Sequence, residues 1–328
     1  DLKIISYPYD NPPQYNSNEL WKLYCKGAVI NTNNNKVICL PPVKAIEIES
    51  FDNINHNNDD NYSYENLLDG TMINLFYHNN EWLISTRSEI GGYNKWNNKK
   101  SFRKMFDECH NINYETLNKE YSYSFIMNHI ENRNVSPVYE NQLILIEVFD
   151  INNNIKLNKS DFPSQFNNID TYTDLDLFMN MYKGPVIPYY IKGFTVRHGN
   201  LRYKWINPFF NEIKNLKINM NNHLLNYIEL RRNNNLKKYL KYFPEHQHLF
   251  NEYRNKIHEL SNELFTIYKN VFIYKKLQKN EIPYHLKPLI YDIHKIYLSN
   301  KTPIHWETIK DYIHNVPSKK LTFSLNYC

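Results

Sequence analysis

A predicted hairpin between residues 69 and 87 holds two charged side chains that could contact a ligand. Asp69-Gly70 is a dipeptide typical of tight turns, and apolar residues follow it at positions 72–76. A polar turn at His78-Asn79-Asn80 separates them from a second apolar segment, residues 82–86, which Arg87 follows directly. Two such segments joined by a short Asn-rich turn predict a β-hairpin. The hairpin would place a carboxylate at its entry and a guanidinium at its end.

This hairpin resembles the nucleotide-binding hairpin of the covalent nucleotidyltransferases, which are the RNA ligases, DNA ligases and mRNA capping enzymes. In that family the turn reads Lys-x-Asp-Gly, and the lysine amine attacks the α-phosphate of ATP or GTP. Leu67 occupies the lysine position here and cannot form a phosphoramidate. The resemblance therefore implies the family's fold without the residue that defines its chemistry.

Cations elsewhere in the chain match further motifs of phage-type RNA ligases. Cys25-Lys26-Gly27 resembles a basic-Gly strand of the family, and Lys44 follows Pro41-Pro42 as a lysine follows a proline there. Lys204 matches the first lysine of the closing Lys-x-Lys strand. The resemblance implies that these lysines and Arg87 contact nucleotide phosphates. Exposed lysines at strand ends are the alternative interpretation.

Three more family positions have lost their chemical groups. Ile126 stands where the family has a glutamate after Phe125, Lys192 replaces the glutamate of a Glu-Gly strand, and Ile206 replaces the second closing lysine. Asn132-Arg133 is retained. Together with Leu67, these changes remove the nucleophile, two carboxylates and one cation, whereas nucleotidyl transfer needs an amine, a divalent ion and carboxylates to hold it. A catalytically inactive domain explains all four changes.

The resemblance covers most of the chain from about residue 20 to residue 274. It is closest to RNA-ligase-like proteins of large DNA viruses, through the phrases DGTMINLFY, ISTRSEIGG, SYSFIMNHIENR and LKKYLKYFPEH. It implies an α+β fold, in which an ATP-grasp-like nucleotidyltransferase domain of antiparallel sheets and flanking helices spans residues 1–210. An all-helical basic domain would follow at 211–328. The implied nucleotide- or RNA-binding residues are Lys26, Lys44, Asp69, Gly70, Arg87, Arg133, Lys192 and Lys204.

Three functions remain open from the sequence. The first is an inactive ligase-like protein that binds nucleotides or RNA ends in a cationic pocket, because exchanging glutamate for Lys192 favours phosphate over a metal. The second is an active RNA ligase that uses ATP and Mg²⁺ with another nucleophile, such as Lys44 or Lys204, or that takes pre-adenylated RNA. The third is a structural or virion-assembly protein that binds other proteins or itself.

The charge distribution favours a polyanionic partner. The chain has 39 Lys and Arg against 34 Asp and Glu, but residues 211–328 hold 19 against 10 and residues 1–210 hold 20 against 24. A basic C-terminal half is typical of RNA-binding proteins. Solvated helix faces are the alternative.

The sequence indicates no metal site, no disulfide framework and no membrane-spanning segment. Four histidines show no metal-ligand spacing with a partner: His129, His198, His246 and His248. The four cysteines form no Cys-x-x-Cys pair: Cys25, Cys39, Cys109 and Cys328. No apolar run approaches transmembrane length, and the N-terminus lacks a signal-peptide pattern. We therefore expect no metal site, no membrane association and a location in the cytoplasm, or in the virion if the protein is viral.

The elements that must position these residues follow from hydrophobic periodicity. Strands are predicted within residues 23–40, 121–135, 142–149, 191–196 and 202–206, and helices at 99–109 and 174–182. An irregular arm is predicted over residues 1–20 and a polar loop over 52–61. From residue 211 the pattern is helical, with one long helix from Leu249 to Val271 and a break at Phe243-Pro244.

Overall fold

The computed structural model describes residues 1–6, 21–49, 62–95, 100–110, 112–162, 166–182, 186–217 and 222–327. Most of the predicted arm over residues 1–20 and the whole predicted loop over 52–61 lie outside these ranges. The chain forms two compact units, Asp1–Lys214 and Asn215–Cys328. The roles that we assigned to residues 1–210 and 211–328 stay predictions.

The strands of the described residues lie in the first unit. They are β1 (Leu2–Ile4), β2 (Val29–Asn31), β3 (Lys36–Cys39), β4 (Ile46–Glu47), β5 (Tyr62–Asn66), β6 (Thr71–His78), β7 (Glu81–Ser85), β8 (Tyr121–Asn128), β9 (Gln142–Asp150), β10 (Ile155–Leu157), β11 (Asn167–Asn168), β12 (Thr171–Tyr172), β13 (Gly193–His198) and β14 (Leu201–Ile206). The helices of this unit are α1 (Trp21–Cys25), α2 (Phe102–Cys109), α3 (Leu175–Asn180) and α4 (Pro208–Leu216), the last of which runs into the second unit.

The predicted hairpin forms one edge of a six-stranded sheet. Its path is β10-β9-β8-β6-β7, and β11 adds to β9. Asn79 and Asn80 join β6 to β7 with φ of +48° and +66°, the left-handed pair that a two-residue hairpin turn requires. The hairpin prediction is confirmed. One face of this sheet packs its apolar residues, such as Ile73 and Phe125, against Met105 and Phe106 of α2.

A five-stranded sheet, with the path β12-β5-β13-β14-β4, holds the closing strands. Its core joins Tyr64, Phe194 and Val196 to Phe178 of α3. Neighbouring strands run antiparallel in both large sheets except for the short pairs β11/β9 and β14/β4, which are parallel. The α+β class with antiparallel sheets is confirmed.

Several boundaries differ from the sequence prediction. The strand expected over residues 23–25 is wrong, because a turn of helix α1 buries Leu23 and Gly27, at φ +87°, then redirects the chain into β2. The strand expected from residue 191 begins only at Gly193, so Lys192 lies just before β13. Helix α2 begins at Phe102, where the Ser101 side chain accepts a hydrogen bond from the Lys104 amide, and Lys99 lies outside the described residues.

The second unit is helical where the structure describes it. It contains α5 (His223–Arg232), α6 (Leu236–Tyr242), α7 (Gln247–Tyr268), α8 (Lys287–Asn300), α9 (Trp306–Asn315) and α10 (Ser318–Leu325). The predicted long helix is α7, whose last predicted residues continue as a π-helical turn, Lys269–Ile273. The predicted helical C-terminal region is confirmed. No helix in the described ranges is long and apolar enough to cross a membrane.

Arg232 fixes the end of α5 against the last helices of this unit. Its Nε donates a hydrogen bond to the His314 carbonyl oxygen at 2.9 Å, and another guanidinium nitrogen donates to the Val316 carbonyl oxygen. These carbonyls lie at the end of α9, where helical partners run out. The guanidinium therefore caps α9 from α5.

Candidate functional site

One cavity of the first unit, about 350 Å³ in volume, brings together most of the cations that the sequence singled out. We call this cavity the cationic pocket after six of the side chains that line it: Lys26, Lys44, Arg87, Lys192, Arg202 and Lys204. These six residues come from four separate parts of the chain, so the fold and not local sequence gathers them. Five of them were predicted, and Arg202 was not.

The backbone of the first unit fixes the three cations that come earliest in the chain. Lys26 follows α1, and a Cβ at Gly27 would lie 3.3 Å from the Arg87 Cα, so the glycine allows these two segments to approach closely. The Lys44 amide donates to the Leu23 carbonyl oxygen at 3.0 Å. Arg87 follows β7, and its Nε lies 3.2 Å from the Met72 Sδ.

The positive charges of the cationic pocket repel one another. Burial lowers the pKa of Lys26, and the nearby charges of Lys44, Arg87 and Lys204 lower it further. The partner of Lys204 is Glu47, whose carboxylate lies 2.8 Å from the amine but is itself largely exposed. A bound anion would relieve this repulsion.

Arg202 is the buried member of the pocket. Its side chain lies on β14, two residues before Lys204, so both point to the same face of the sheet. The residue is only 8% exposed, and among the described residues its Nε has no hydrogen-bond partner. Burial first, and Arg197 second, lower the pKa of Arg202 to about 10. The Arg-x-Lys spacing on one strand was the only indication of this residue in the sequence.

A buried charge network between the two large sheets explains why Arg202 is left without a carboxylate. The network consists of Glu65 on β5, Glu147 on β9, Arg197 on β13 and Lys159. Arg197 Nη1 lies 2.7 Å from Glu147 Oε2, and Lys159 Nζ donates to Glu65 Oε1 at 2.7 Å. Both carboxylates are therefore already paired.

Lys192 lies beside the Asp69-Gly70 turn. Its Nζ donates to the Leu68 carbonyl oxygen at 3.1 Å and lies 3.7 Å from the Asp69 Oδ1. Burial lowers the pKa of Lys192, and Asp69 opposes this shift. The Lys192 amine therefore points toward the Leu68-Asp69 segment.

Three apolar residues, at positions where the resemblance predicts lost chemical groups, line the same cavity. Leu67, Ile126 and Ile206 all contribute to its wall, next to Ile146 and Ile169. An apolar wall therefore stands beside the cations. The alignment of these degenerate positions stays a prediction, and the structure places them together.

A second cavity of about 400 Å³ adjoins the first, and Leu67, Gly70 and Lys192 line both. Its polar lining is mostly neutral, and we call it the amide cavity after four of its side chains: Asn66, Asn128, Asn132 and Asn134. Tyr182 and Tyr190 line it too. Amides and tyrosines can hydrogen-bond and stack with a neutral polar ring.

Two predicted binding residues make hydrogen bonds within the fold. Arg133 lines neither cavity, and its Nε and Nη2 donate to the Val135 carbonyl oxygen at 3.1 and 2.9 Å. Asp69 lines only the amide cavity, and its Oδ2 accepts from the Val135 and Ser136 amides at 2.9 and 3.1 Å. The Asp-Gly turn therefore anchors the loop that follows β8.

Replacing Asp69 tests this structural role. Asp69→Ala leaves two backbone amides without their acceptor, so we expect the free energy of unfolding to fall by about 2 kcal/mol. Asp69→Asn keeps one side-chain oxygen and is expected to lose about half as much. Urea denaturation of the two variants measures the difference. Equal losses, or none, would contradict the anchoring role.

The residues present do not fit a divalent metal ion. No Asp or Glu is among the described residues that line the cationic pocket, and no group of three His, Cys, Asp or Glu side chains in the described ranges could hold a metal. Mg²⁺ requires oxygen ligands, chiefly carboxylates and phosphates. Phosphate oxygens, by contrast, suit a wall of lysine and arginine side chains.

Comparisons with known proteins give fold-level likeness only. No protein-family model and no curated protein matches the chain. Among solved structures, it is similar to Naegleria gruberi RNA ligase with PPi, at 13% identity and a TM-score of 0.34 over 52% of this chain and 57% of that chain. A mutant of that ligase with AMP and Mn is 12% identical and has a TM-score of 0.34, over 51% of this chain and 57% of that chain.

A candidate ATP-dependent DNA ligase from Aquifex aeolicus gives 11% identity and a TM-score of 0.35, over 62% of each chain. The chain thus spans less than two thirds of the length of each of these ligases.

Proposed function

We propose that the protein is an RNA-ligase-like binding protein that holds the phosphates of a nucleotide or an RNA end in the cationic pocket and has lost lysine nucleotidylation. The observation behind this proposal is the gathering of six cationic side chains, without a lining carboxylate, in one cavity. Charge-assisted hydrogen bonds from such groups are the strong ones that phosphate binding uses.

The amide cavity favours a nucleotide over a free phosphate. It shares Leu67, Gly70 and Lys192 with the cationic pocket, so a ligand with its phosphates among the cations can extend into it. Neutral amides and tyrosines suit a base or a ribose. Lys26, Arg87 and Lys204 would hold the phosphates of ATP.

The second unit adds a sequence-independent contribution to RNA binding. From Asn215 to the end the chain holds 18 Lys and Arg against 9 Asp and Glu. Neutralising RNA phosphates with such side chains releases counterions, so binding weakens as the salt concentration rises. RNA is therefore the partner that fits both units best.

Salt-dependent binding of a 5′-phosphorylated RNA oligonucleotide tests the proposal. The triple variant Lys26→Ala, Arg87→Ala, Lys204→Ala is expected to bind about 100-fold more weakly, with a salt slope lower by about 2. The matched control replaces the exposed Lys3, Lys36 and Lys104 by alanine and removes the same charge outside the pocket. We expect it to lose no more than a few fold.

The remaining functions are outcomes of the same experiment. Equal affinity of the two triple variants would contradict a binding role for the cationic pocket. Absence of RNA and ATP binding, together with a stable oligomer on a sizing column, would favour the assembly protein.

A further inference from the structure

Arg202 is a buried guanidinium whose charge no described group pairs. Within the described ranges it forms no ion pair within 4 Å, its Nε lacks a hydrogen-bond acceptor, and it lines the cationic pocket. A buried charge without a partner is costly unless a ligand supplies the opposite charge. An anion that enters the pocket would do so.

The nearest carboxylates are committed to other cations. Glu65 pairs with Lys159 and Arg197, and Glu147 pairs with Arg197. Glu65 and Glu147 partly balance the charge of Arg202 from a distance, but neither accepts a hydrogen bond from its Nε. The Nε edge of a guanidinium presents two parallel N–H groups to a planar or tetrahedral oxyanion, a geometry that lysine cannot reproduce.

The composition of the pocket wall decides how phosphate charge would be neutralised. An enzyme that uses Mg²⁺ supplies carboxylates to hold the ion, which then bridges phosphate oxygens. Here the wall offers Arg202, Lys192 and four further cations and no carboxylate among its described residues. The positive side chains would therefore neutralise phosphate charge without a metal ion.

We propose that the cationic pocket binds a polyphosphate group in its metal-free form, and that Arg202 is the residue that specifies this anion. The proposal rests on the proposed function, since it concerns the same pocket. Mg²⁺ and the pocket then compete for the same phosphate oxygens, so free Mg²⁺ weakens binding.

Calorimetric titration with inorganic pyrophosphate tests the proposal, first in EDTA and then with Mg²⁺ in excess over pyrophosphate. We expect binding in EDTA and at least a tenfold loss of affinity with Mg²⁺. Arg202→Met should lose at least tenfold in EDTA, and Arg202→Lys should recover only part of this loss. Arg103→Met, at a half-exposed helix position away from the pocket, is the control and should bind like the wild type.

Thermal unfolding separates loss of a binding group from loss of fold. Since Arg202→Met removes an unpaired buried charge, its melting temperature should equal or exceed that of the wild type. Stronger binding in Mg²⁺, or unchanged affinity in a folded Arg202→Met variant, would overturn this inference and leave the proposed function standing. Failure of pyrophosphate, ATP and RNA to bind in either buffer would overturn both.

Discussion

Arg197→Met is expected to lower the free energy of unfolding by about 3–5 kcal/mol, because it leaves two buried carboxylates without their shared partner. Glu65 is 2% exposed and Glu147 is 5% exposed. The two carboxylates lie on different sheets, on β5 and β9, so Arg197 links the two sheets through charge. Urea denaturation followed by circular dichroism measures the loss.

The acid dependence of stability gives a second readout of the same substitution. Burial alone would raise the pKa of Glu65, but Arg197 and then Lys159 outweigh it and hold the pKa at about 2. A carboxyl whose folded pKa is depressed stabilises the fold fully above its unfolded pKa, near 4.5, and this contribution disappears as pH falls toward 2. The shift corresponds to about 3 kcal/mol at neutral pH. In Arg197→Met the loss of stability on acidification should be smaller.

Arg103→Met provides the matched control for Arg197→Met. Arg103 pairs with Asp107 one turn along α2, and both side chains are more than one third exposed. Surface pairs of this kind contribute less than about 1 kcal/mol. If Arg197→Met and Arg103→Met lost similar amounts, the buried network would not stabilise the first unit.

Local sequence patterns were sufficient to predict the hairpin and the long helix α7. The two asparagines at 79–80 and the alternating apolar residues around them determine the β6–β7 turn without reference to the rest of the chain. The spacing of apolar residues from Leu249 likewise predicted α7, because amphipathic periodicity is a property of one element.

The charge network and Arg202 could not be found in this way. Glu65, Glu147 and Arg197 are separated by 82 and 50 positions, so only the pairing of whole sheets brings them together. The cations on the hairpin and on β14 were found only because a family resemblance supplied the distant positions. Asp69 shows that a sequence motif does not determine what its side chain contacts. The resemblance implied a binding residue, and its carboxylate accepts hydrogen bonds from a neighbouring loop.

The wild-type protein is expected to give no labelled band after incubation with α-labelled ATP or GTP and Mg²⁺ or Mn²⁺, followed by denaturing electrophoresis. Leu67→Lys alone should not restore labelling. A lysine there would enter a cavity that already holds six cations, beside Lys192 and with Ile126 where a carboxylate is needed. Lysine nucleotidylation requires a neutral amine and a held metal ion, and this environment supplies no ligand for the metal.

Further substitutions identify what the cavity lacks. Adding Ile126→Glu and Lys192→Glu to Leu67→Lys removes one cation and supplies two carboxylates, so labelling should appear first in this triple variant. An active RNA ligase is the positive control, and thermal unfolding checks that each variant is folded. A labelled wild-type band would reveal another nucleophile, such as Lys44 or Lys204, and would contradict the proposed loss of catalysis. Labelling of Leu67→Lys alone would show that the carboxylate positions do not limit the reaction and that only the amine at position 67 is missing.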